Sequence, residues 1–317
     1  MMKPQTLYLV IPCYNEEAVL PETAKQLKIR MADMIEKQII SPQSRVAFVD
    51  DGSKDKTWEI INRLHESDSL FSGIKLSRNK GHQNALLAGL MTVKADADMV
   101  VSMDADLQDD INVVEQMVKK YYEGHDIVYG VRSSRKKDTA FKKFTAQGFY
   151  KFMKLLGVEI IYNHADYRLM SRRALDGLQQ FKEVNLFLRG IVPLIGYPSC
   201  TVEYERGERF AGESKYPFKK MLSFALEGVT SFSIKPIRMI TALGFLIFSI
   251  SIIMLAYFLI VYLIGKTVPG WTTIVISVWA IGGLQLLALG IIGEYIGKIY
   301  METKERPKFI VETYLNR

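Results

Sequence analysis

Short apolar runs alternate with longer stretches whose apolar residues recur at helical spacing. Leu7-Tyr8-Leu9-Val10-Ile11 is apolar throughout and stops at Pro12, which predicts a buried strand. A helix is expected from Glu17 to about Lys37, followed by a second strand over Arg45–Val49 that closes on Asp50-Asp51-Gly52-Ser53. Asp55 then caps a helix through Leu64, Ile74–Leu76 is a third strand, and His82–Val93 a helix. Met99–Met103 reads as a fourth strand, Ile111–Glu123 as a helix, and Asp126–Val131 as a fifth strand. Strands alternating with helices predict βαβ units and a doubly wound, mainly parallel sheet.

The pattern changes after residue 216. Pro217–Ser233 places Phe218, Met221, Leu222, Ala225, Leu226 and Val229 at helical spacing beside Lys219 and Lys220, as in an amphipathic helix at a membrane surface. From Met239 to Gly293, 55 residues carry one charge, Lys266. The uncharged runs on either side of it are 27 residues each, and a helix needs roughly 20 apolar residues to cross about 30 Å of hydrocarbon. Gly265–Gly270 breaks them into a hairpin with spans of about 239–264 and 271–293. Lys235, Arg238, Lys298, Lys304, Arg306 and Lys308 flank the hairpin against one lysine in its loop, so both chain ends are expected on the cytoplasmic side. The domain plan is therefore 1–216 catalytic or binding domain, 217–238 juxtamembrane helix, 239–297 transmembrane hairpin and 298–317 cytoplasmic tail.

Composition agrees with this division. The chain has 317 residues and a net charge of +7, and 74 of its 75 charged side chains lie outside the apolar segment. Two cysteines, Cys13 and Cys200, form no disulfide framework or zinc pattern, which suits a reducing compartment. The first apolar run is too short for the core of a signal peptide. Gly130–Lys154 holds eight basic residues against Asp138 alone, which favours a solvated face or an anionic membrane surface. Nucleic acid is not expected, because the basic-aromatic modules that read single strands are missing.

In a doubly wound sheet, ligands sit at the carboxyl ends of the strands. Four polar clusters directly follow strands: Pro12-Cys13-Tyr14-Asn15-Glu16, Asp50-Asp51-Gly52-Ser53, Ser77-Arg78-Asn79 and Asp104-Ala105-Asp106. Neither a Gly-x-Gly-x-x-Gly turn nor a Gly-x4-Gly-Lys-Ser/Thr loop is present, so phosphates at this rim need a metal or basic side chains. Asp104 and Asp106 are hard donors two residues apart, suited to a divalent ion, with Gln108 able to add a carbonyl oxygen.

With these motifs the chain resembles the GT-A glycosyltransferases of family 2, most closely the polyprenyl-phosphate glycosyltransferases that include dolichol-phosphate mannose synthases and bacterial two-span bactoprenol glucosyltransferases. Asp166-Tyr167-Arg168-Leu169-Met170-Ser171, Arg206-Gly207-Glu208-Arg209, Gly212–Tyr216 and Gly293–Tyr300 extend the match over nearly the whole chain. The resemblance implies inverting transfer of a hexose, with glucose or N-acetylglucosamine first, from a UDP-sugar to undecaprenyl phosphate at the bacterial plasma membrane. It implies that Pro12, Asn15, Glu16 and Asp51 hold the nucleoside, that Arg132 lies near the phosphates, and that Asp104, Asp106 and Gln108 hold Mg2+ or Mn2+. Asp106, Asp166, Arg209 and Lys215 are the implied catalytic set. Arg206, Arg209 and Lys215 would meet the acceptor phosphate. A homo-oligomer, with a tetramer as one form, is also expected.

A lipid phosphate has a second pKa of roughly 6, so it needs no strong base, and the difficulty is bringing two anions together. Asp166 is therefore read as orienting the acceptor or serving as base, with an ion pair to Arg168 as the structural alternative. Two rival functions remain at this stage. A processive polysaccharide synthase is disfavoured by the lack of Gln-x-x-Arg-Trp and by having only two spans; a non-catalytic nucleotide-sugar-binding subunit is disfavoured by the Asp104/Asp106 pair.

Overall fold

The computed structural model describes residues 3–132, 164–184, 187–205, 235–264 and 270–316. The chain forms two compact units: one comprises 1–150, 160–216 and 306–317, the other 151–159 and 217–305.

The first unit is built on an eight-stranded mixed sheet. Its strands are β1 (Leu7–Cys13), β2 (Arg45–Asp50), β3 (Phe71–Leu76), β4 (Met99–Ser102), β5 (Ile127–Arg132), β6 (His164–Ser171), β7 (Ser199–Tyr204) and β8 (Val311–Leu315). They lie in the order β7-β5-β6-β4-β1-β2-β3-β8. β4, β1, β2 and β3 run parallel, so their carboxyl ends share one rim. β6 is antiparallel to both β4 and β5, β7 is parallel to β5, and β8 is antiparallel to β3.

All seven residues of β1 are buried, as expected of a central strand covered on both faces. β1 continues through Pro12 to Cys13, two residues beyond the expected end at Ile11. Its pairing with β4 ends at Val10, and from there β1 is bordered by β2 alone, where a residue without an N–H is tolerated.

Among the described residues, the helices of this unit are α1 (Leu20–Glu36), α2 (Thr57–Ser67), α3 (His82–Val93), α4 (Val113–Tyr122), α5 (Arg172–Gln179) and α6 (Leu188–Leu194). α1 buries Leu20, Ala24, Leu27, Met31 and Met34, one stripe at helical period. α3 lies so close to the sheet that a Cβ on Gly89 would stand 2.4 Å from Val10 Cγ1 and 2.6 Å from Val49 Cγ2. α2 begins at Thr57 rather than directly after Asp55. Asp55 instead accepts from the Thr57 N–H and hydroxyl, at 3.0 and 2.6 Å.

The second unit contains α7 (Lys235–Leu263) and α8 (Trp271–Thr303), each long and apolar enough to cross a membrane. Their most apolar windows, Ile237–Met254 and Ile281–Thr303, are not buried in protein at all. Phe245, Leu263 and Leu286 are each more than 70% exposed, an arrangement that water disfavours and hydrocarbon accepts. α8 runs ten residues beyond the span end expected at Gly293. Within the segment 298–317, Val311–Leu315 forms the edge strand β8 beside β3. The juxtamembrane helix over 217–234 and the loop at 265–269 lie outside the described residues.

Candidate active site

The rim above β1, β2 and β3 is stitched by hydrogen bonds between its loops. The Asn15 N–H donates to Ser53 Oγ at 3.0 Å, and the Lys54 N–H returns a bond to Asn15 Oδ1 at 2.9 Å. Glu16 N–H donates to Thr57 Oγ1 at 2.9 Å. Asn15 sits at φ 56°, a left-handed conformation that asparagine tolerates better than most residues. Asp51 is buried, and its two oxygens accept the N–H groups of Lys80 and Gly81 at 2.7 and 2.9 Å. Beside it Gly52 has φ +66°, and a Cβ there would lie 2.6 Å from the Asn79 nitrogen, so only glycine lets the β2 and β3 loops approach this closely. Pro12, Asn15, Glu16 and Asp51 thus lie together at two adjoining strand ends.

The neighbouring part of the rim, above β4 and β6, is built from charge. Ser102 pairs with Arg168 across the antiparallel ladder, so that register sets Asp166 opposite Asp104 just beyond the end of β4. The buried Thr23 hydroxyl on α1 donates to the Ala105 carbonyl at 2.8 Å and fixes the segment between Asp104 and Asp106. Leu107 follows at φ 55°, a strained setting for a branched side chain, and the Gln108 N–H turns back to Asp106 Oδ1 at 3.2 Å.

Asp166 is the most heavily paired group. Arg168 Nη2 donates to its Oδ1 at 2.8 Å, while Arg189 reaches Oδ2 through Nη2 at 3.0 Å and Oδ1 through Nε at 3.3 Å. His82 Nε2 lies 3.6 Å from Asp166 Oδ2 and 3.7 Å from Asp104 Oδ1, a charge contact with both carboxylates rather than a hydrogen bond. Burial works to raise the Asp166 pKa, but Arg189 foremost, then His82 and Arg168, hold it well below the ordinary carboxylate range. A carboxylate so stabilised is a poor proton acceptor and a firm anchor for cations. Desolvation lowers the His82 pKa, yet Asp166 and then Asp104 outweigh it and favour the imidazolium. Asp104 is shifted upward by desolvation and by the charges of Asp166 and Asp106, against the opposing pull of His82.

A third cluster lies behind the Asp104–Gln108 turn. Burial pushes the Asp109 carboxyl up to about 6. Tyr204 at the end of β7 donates its hydroxyl to Asp109 Oδ1 at 2.6 Å, and Arg132 at the end of β5 donates through Nε to the Tyr204 oxygen at 3.3 Å. Arg132, read from the sequence as a phosphate residue, is thereby placed beside Tyr204 and 4.0 Å from Asp109. Arg206, Arg209 and Lys215, and the basic stretch beyond Arg132, lie outside the described residues.

The sequence singled out Asp104, Asp106, Gln108 and Asp166, and the structure brings Asp104 and Asp166 to one place. The sequence reading gave no role to His82, Arg189 or Asp109. The available signal for His82 was its place at the first residue of α3, directly after the β3 loop.

Among the described residues, no three His, Cys, Asp or Glu side chains are arranged to hold a metal. Asp104 and Asp106 nevertheless fit a hard divalent cation that draws its remaining oxygens from a phosphate ligand. The Asp104 side chain is 40% exposed; burial foremost, then the charges of Asp166 and Asp106, raises its pKa, and a bound cation would favour its ionised form.

Comparison with known proteins gives this rim a lineage. Residues 8–178 match the family model "Glycosyl transferase family 2". An uncharacterized glycosyltransferase of Bacillus subtilis, YkoT, is 54% identical over 306 residues, covering 96% of this chain and 91% of its own length. The bactoprenol glucosyl transferase of Shigella phage SfV is 40% identical over 307 residues, covering 96% and 97%. Mannosyl-3-phosphoglycerate synthase from Rubrobacter xylanophilus is 14% identical, with a TM-score of 0.46 and coverage of 70% of this chain and 71% of its own. Motif order, strand-end geometry and full-length similarity to named glycosyltransferases agree, and the chain belongs to glycosyl transferase family 2.

Proposed function

We propose that this glycosyltransferase moves a hexose, glucose or N-acetylglucosamine, from a UDP-sugar to undecaprenyl phosphate at the cytoplasmic face of a bacterial plasma membrane. The observation that carries the reading is the charged rim: Asp104 faces Asp166 across β4 and β6, and Asp166 in turn holds two guanidinium groups. Such a site supplies hard oxygen donors on one side and fixed positive charge on the other. Joining two phosphate-bearing substrates needs both. Full-length similarity to a protein named bactoprenol glucosyl transferase supports the lipid acceptor.

In the proposed reaction an acceptor phosphate oxygen attacks the anomeric carbon as the bond to the nucleoside diphosphate breaks. Pro12, Asn15, Glu16 and Asp51 hold the nucleoside; each Asp51 oxygen keeps a second lone-pair direction beyond its backbone bond. Asp104, Asp106 and Gln108 would hold Mg2+ or Mn2+, which would supply positive charge to the diphosphate leaving group. Asp166 orients cations rather than removing a proton, since the phosphate is already mostly ionised. Arg206, Arg209 and Lys215 are assigned to the acceptor phosphate.

The membrane topology belongs to the same proposal. The chain leaves the catalytic unit ahead of α7 and rejoins it as β8 after α8. In this reading both helices span the bilayer, so the segments before α7 and after α8 lie on one side of it. Basic residues at their outer flanks favour the cytoplasm for both ends.

The test is to incubate purified full-length protein with undecaprenyl phosphate and a panel of nucleotide sugars and to weigh the lipid product. A hexose adduct with a UDP-sugar is expected. Asp104→Ala and Asp106→Asn should each lower transfer by at least about 100-fold while the circular dichroism spectrum is retained. Nucleotide-sugar binding by wild-type protein without any lipid product would favour a non-catalytic subunit.

A further inference from the structure

Asp166 carries one negative charge and is bound by two guanidinium groups that differ sharply in access to solvent. The Arg168 side chain is 1% exposed and that of Asp166 is 7%, whereas Arg189 keeps 41%. Arg168 alone, at 2.8 Å, already neutralises the carboxylate in the protein interior. The second guanidinium therefore makes the Asp166, Arg168 and Arg189 group positive next to the Asp104 carboxylate, and Arg189 is its most accessible cation. A substrate approaching this rim meets Arg189 before it meets Asp166.

The position of Arg189 is held from both sides. It is the second residue of α6, and the N–H of Leu188 just before it donates to Gln83 Oε1 at 2.8 Å. Gln83 is the second residue of α3, and its predecessor His82 contacts the same Asp166 oxygen that Arg189 grips. The starts of two helices and one strand thus converge on a single side chain. The pairing with Asp166 runs side-on through Nε and Nη2 of the guanidinium. Pre-organisation of this kind fits a planar cation for phosphate oxygens, which arginine binds with two parallel hydrogen bonds.

We propose that Arg189 is a substrate-phosphate-binding residue of the transfer reaction, and that Asp166, Arg168 and Gln83 position it. This rests on the function proposed above, which supplies two phosphate-bearing ligands: the monoester of the lipid acceptor and the diphosphate of the donor. Asp166 then acts through Arg189 and touches neither ligand directly.

The experiment compares wild-type, Arg189→Gln and Arg189→Lys full-length proteins in vesicles containing undecaprenyl phosphate. KM for each substrate, kcat, melting temperature and affinity for UDP by direct titration are measured together. Arg189→Gln is expected to raise one KM by about 10–100-fold, as for loss of a charged hydrogen bond, with Arg189→Lys recovering part of it. A rise confined to the acceptor assigns the monoester, and a rise confined to the donor, matched by weaker UDP binding, assigns the diphosphate. Unchanged KM values and UDP affinity in both variants, with only a lower melting temperature, would make Arg189 a structural partner of Asp166 and overturn the inference. Absence of lipid product from wild-type protein instead defeats the proposed reaction. The inference is then judged by UDP titration alone, and equal affinity in wild type and Arg189→Gln rejects it.

Discussion

The rim above β1–β3 and the rim above β4 and β6 stand side by side on one sheet but are held together differently. The first is sewn by neutral or singly charged bonds between loops, as in Asn15 with Ser53 and Lys54, and Asp51 with two backbone N–H groups. Its polar groups fix the shape of a cleft. The second concentrates Asp104, Asp166, Arg168, Arg189 and His82 within a few ångströms, and its groups alter one another's charge. Recognition of a nucleoside needs shape and hydrogen-bond direction, whereas transfer between phosphates needs fixed charge. The sheet assigns those tasks to adjoining strand ends.

If this division is correct, damage should be most severe where charge is buried. Asp166→Asn leaves Arg168 as an uncompensated interior cation and should cost about 3–5 kcal/mol of stability, read from chemical denaturation in detergent. A loss below about 1 kcal/mol would mean that the charged rim is held no more tightly than its neighbour.

The Asp109 cluster gives a smaller and pH-dependent effect. Its carboxyl is raised to about 6 in the folded protein against about 3.9 unfolded, so the folded state binds more protons between those values. Stability from this group is present below about pH 4 and is lost as pH rises through about 6, by roughly 2–3 kcal/mol. Melting curves with a metal chelator present should show this fall in wild-type protein, and Asp109→Asn should remove it. An unchanged pH profile in the variant would place the titration elsewhere.

The least effect is expected on the hydrogen-bonded rim. Asn15→Ala removes the acceptor for the Lys54 N–H and puts a less tolerant residue at φ 56°. A loss of about 1 kcal/mol is expected, with weaker UDP binding and little change in kcat at saturating donor. A large fall in kcat instead would show that the two rims do not divide recognition from transfer.

The parallel part of the fold was legible because its strands are short apolar runs punctuated by Pro, Asp-Gly and Asp-x-Asp. α3 was read from His82 to Val93, as the structure has it. β6 offered no such signal: it carries Asp166 and Arg168, which read as polar surface until their mutual neutralisation permits burial. β8 was equally hidden. Val311-Glu312-Thr313-Tyr314-Leu315 is brief and mixed, and becomes a strand through the edge of β3, with Glu312 meeting Lys75 at 2.8 Å. The strand-end carboxylates were singled out because doubly wound topology fixes where ligands bind. His82 and Arg189 were not found, because their convergence depends on the β4–β6 register and on the pairing of two helix starts.

β8 also imposes a schedule on the making of the molecule. A ribosome delivers residues in order, so the strand that completes the sheet emerges only after both apolar helices have been synthesised. Until then β3 presents an open edge of backbone donors and acceptors, a template for unwanted pairing. β8 closes that edge, with the Ser77 N–H bonded to the Ile310 carbonyl at 3.0 Å, so the edge of β3 is covered only after α8 has been made. A chain lacking Val311–Leu315 would retain both helices and every carboxylate of the rim, yet leave the edge of β3 exposed.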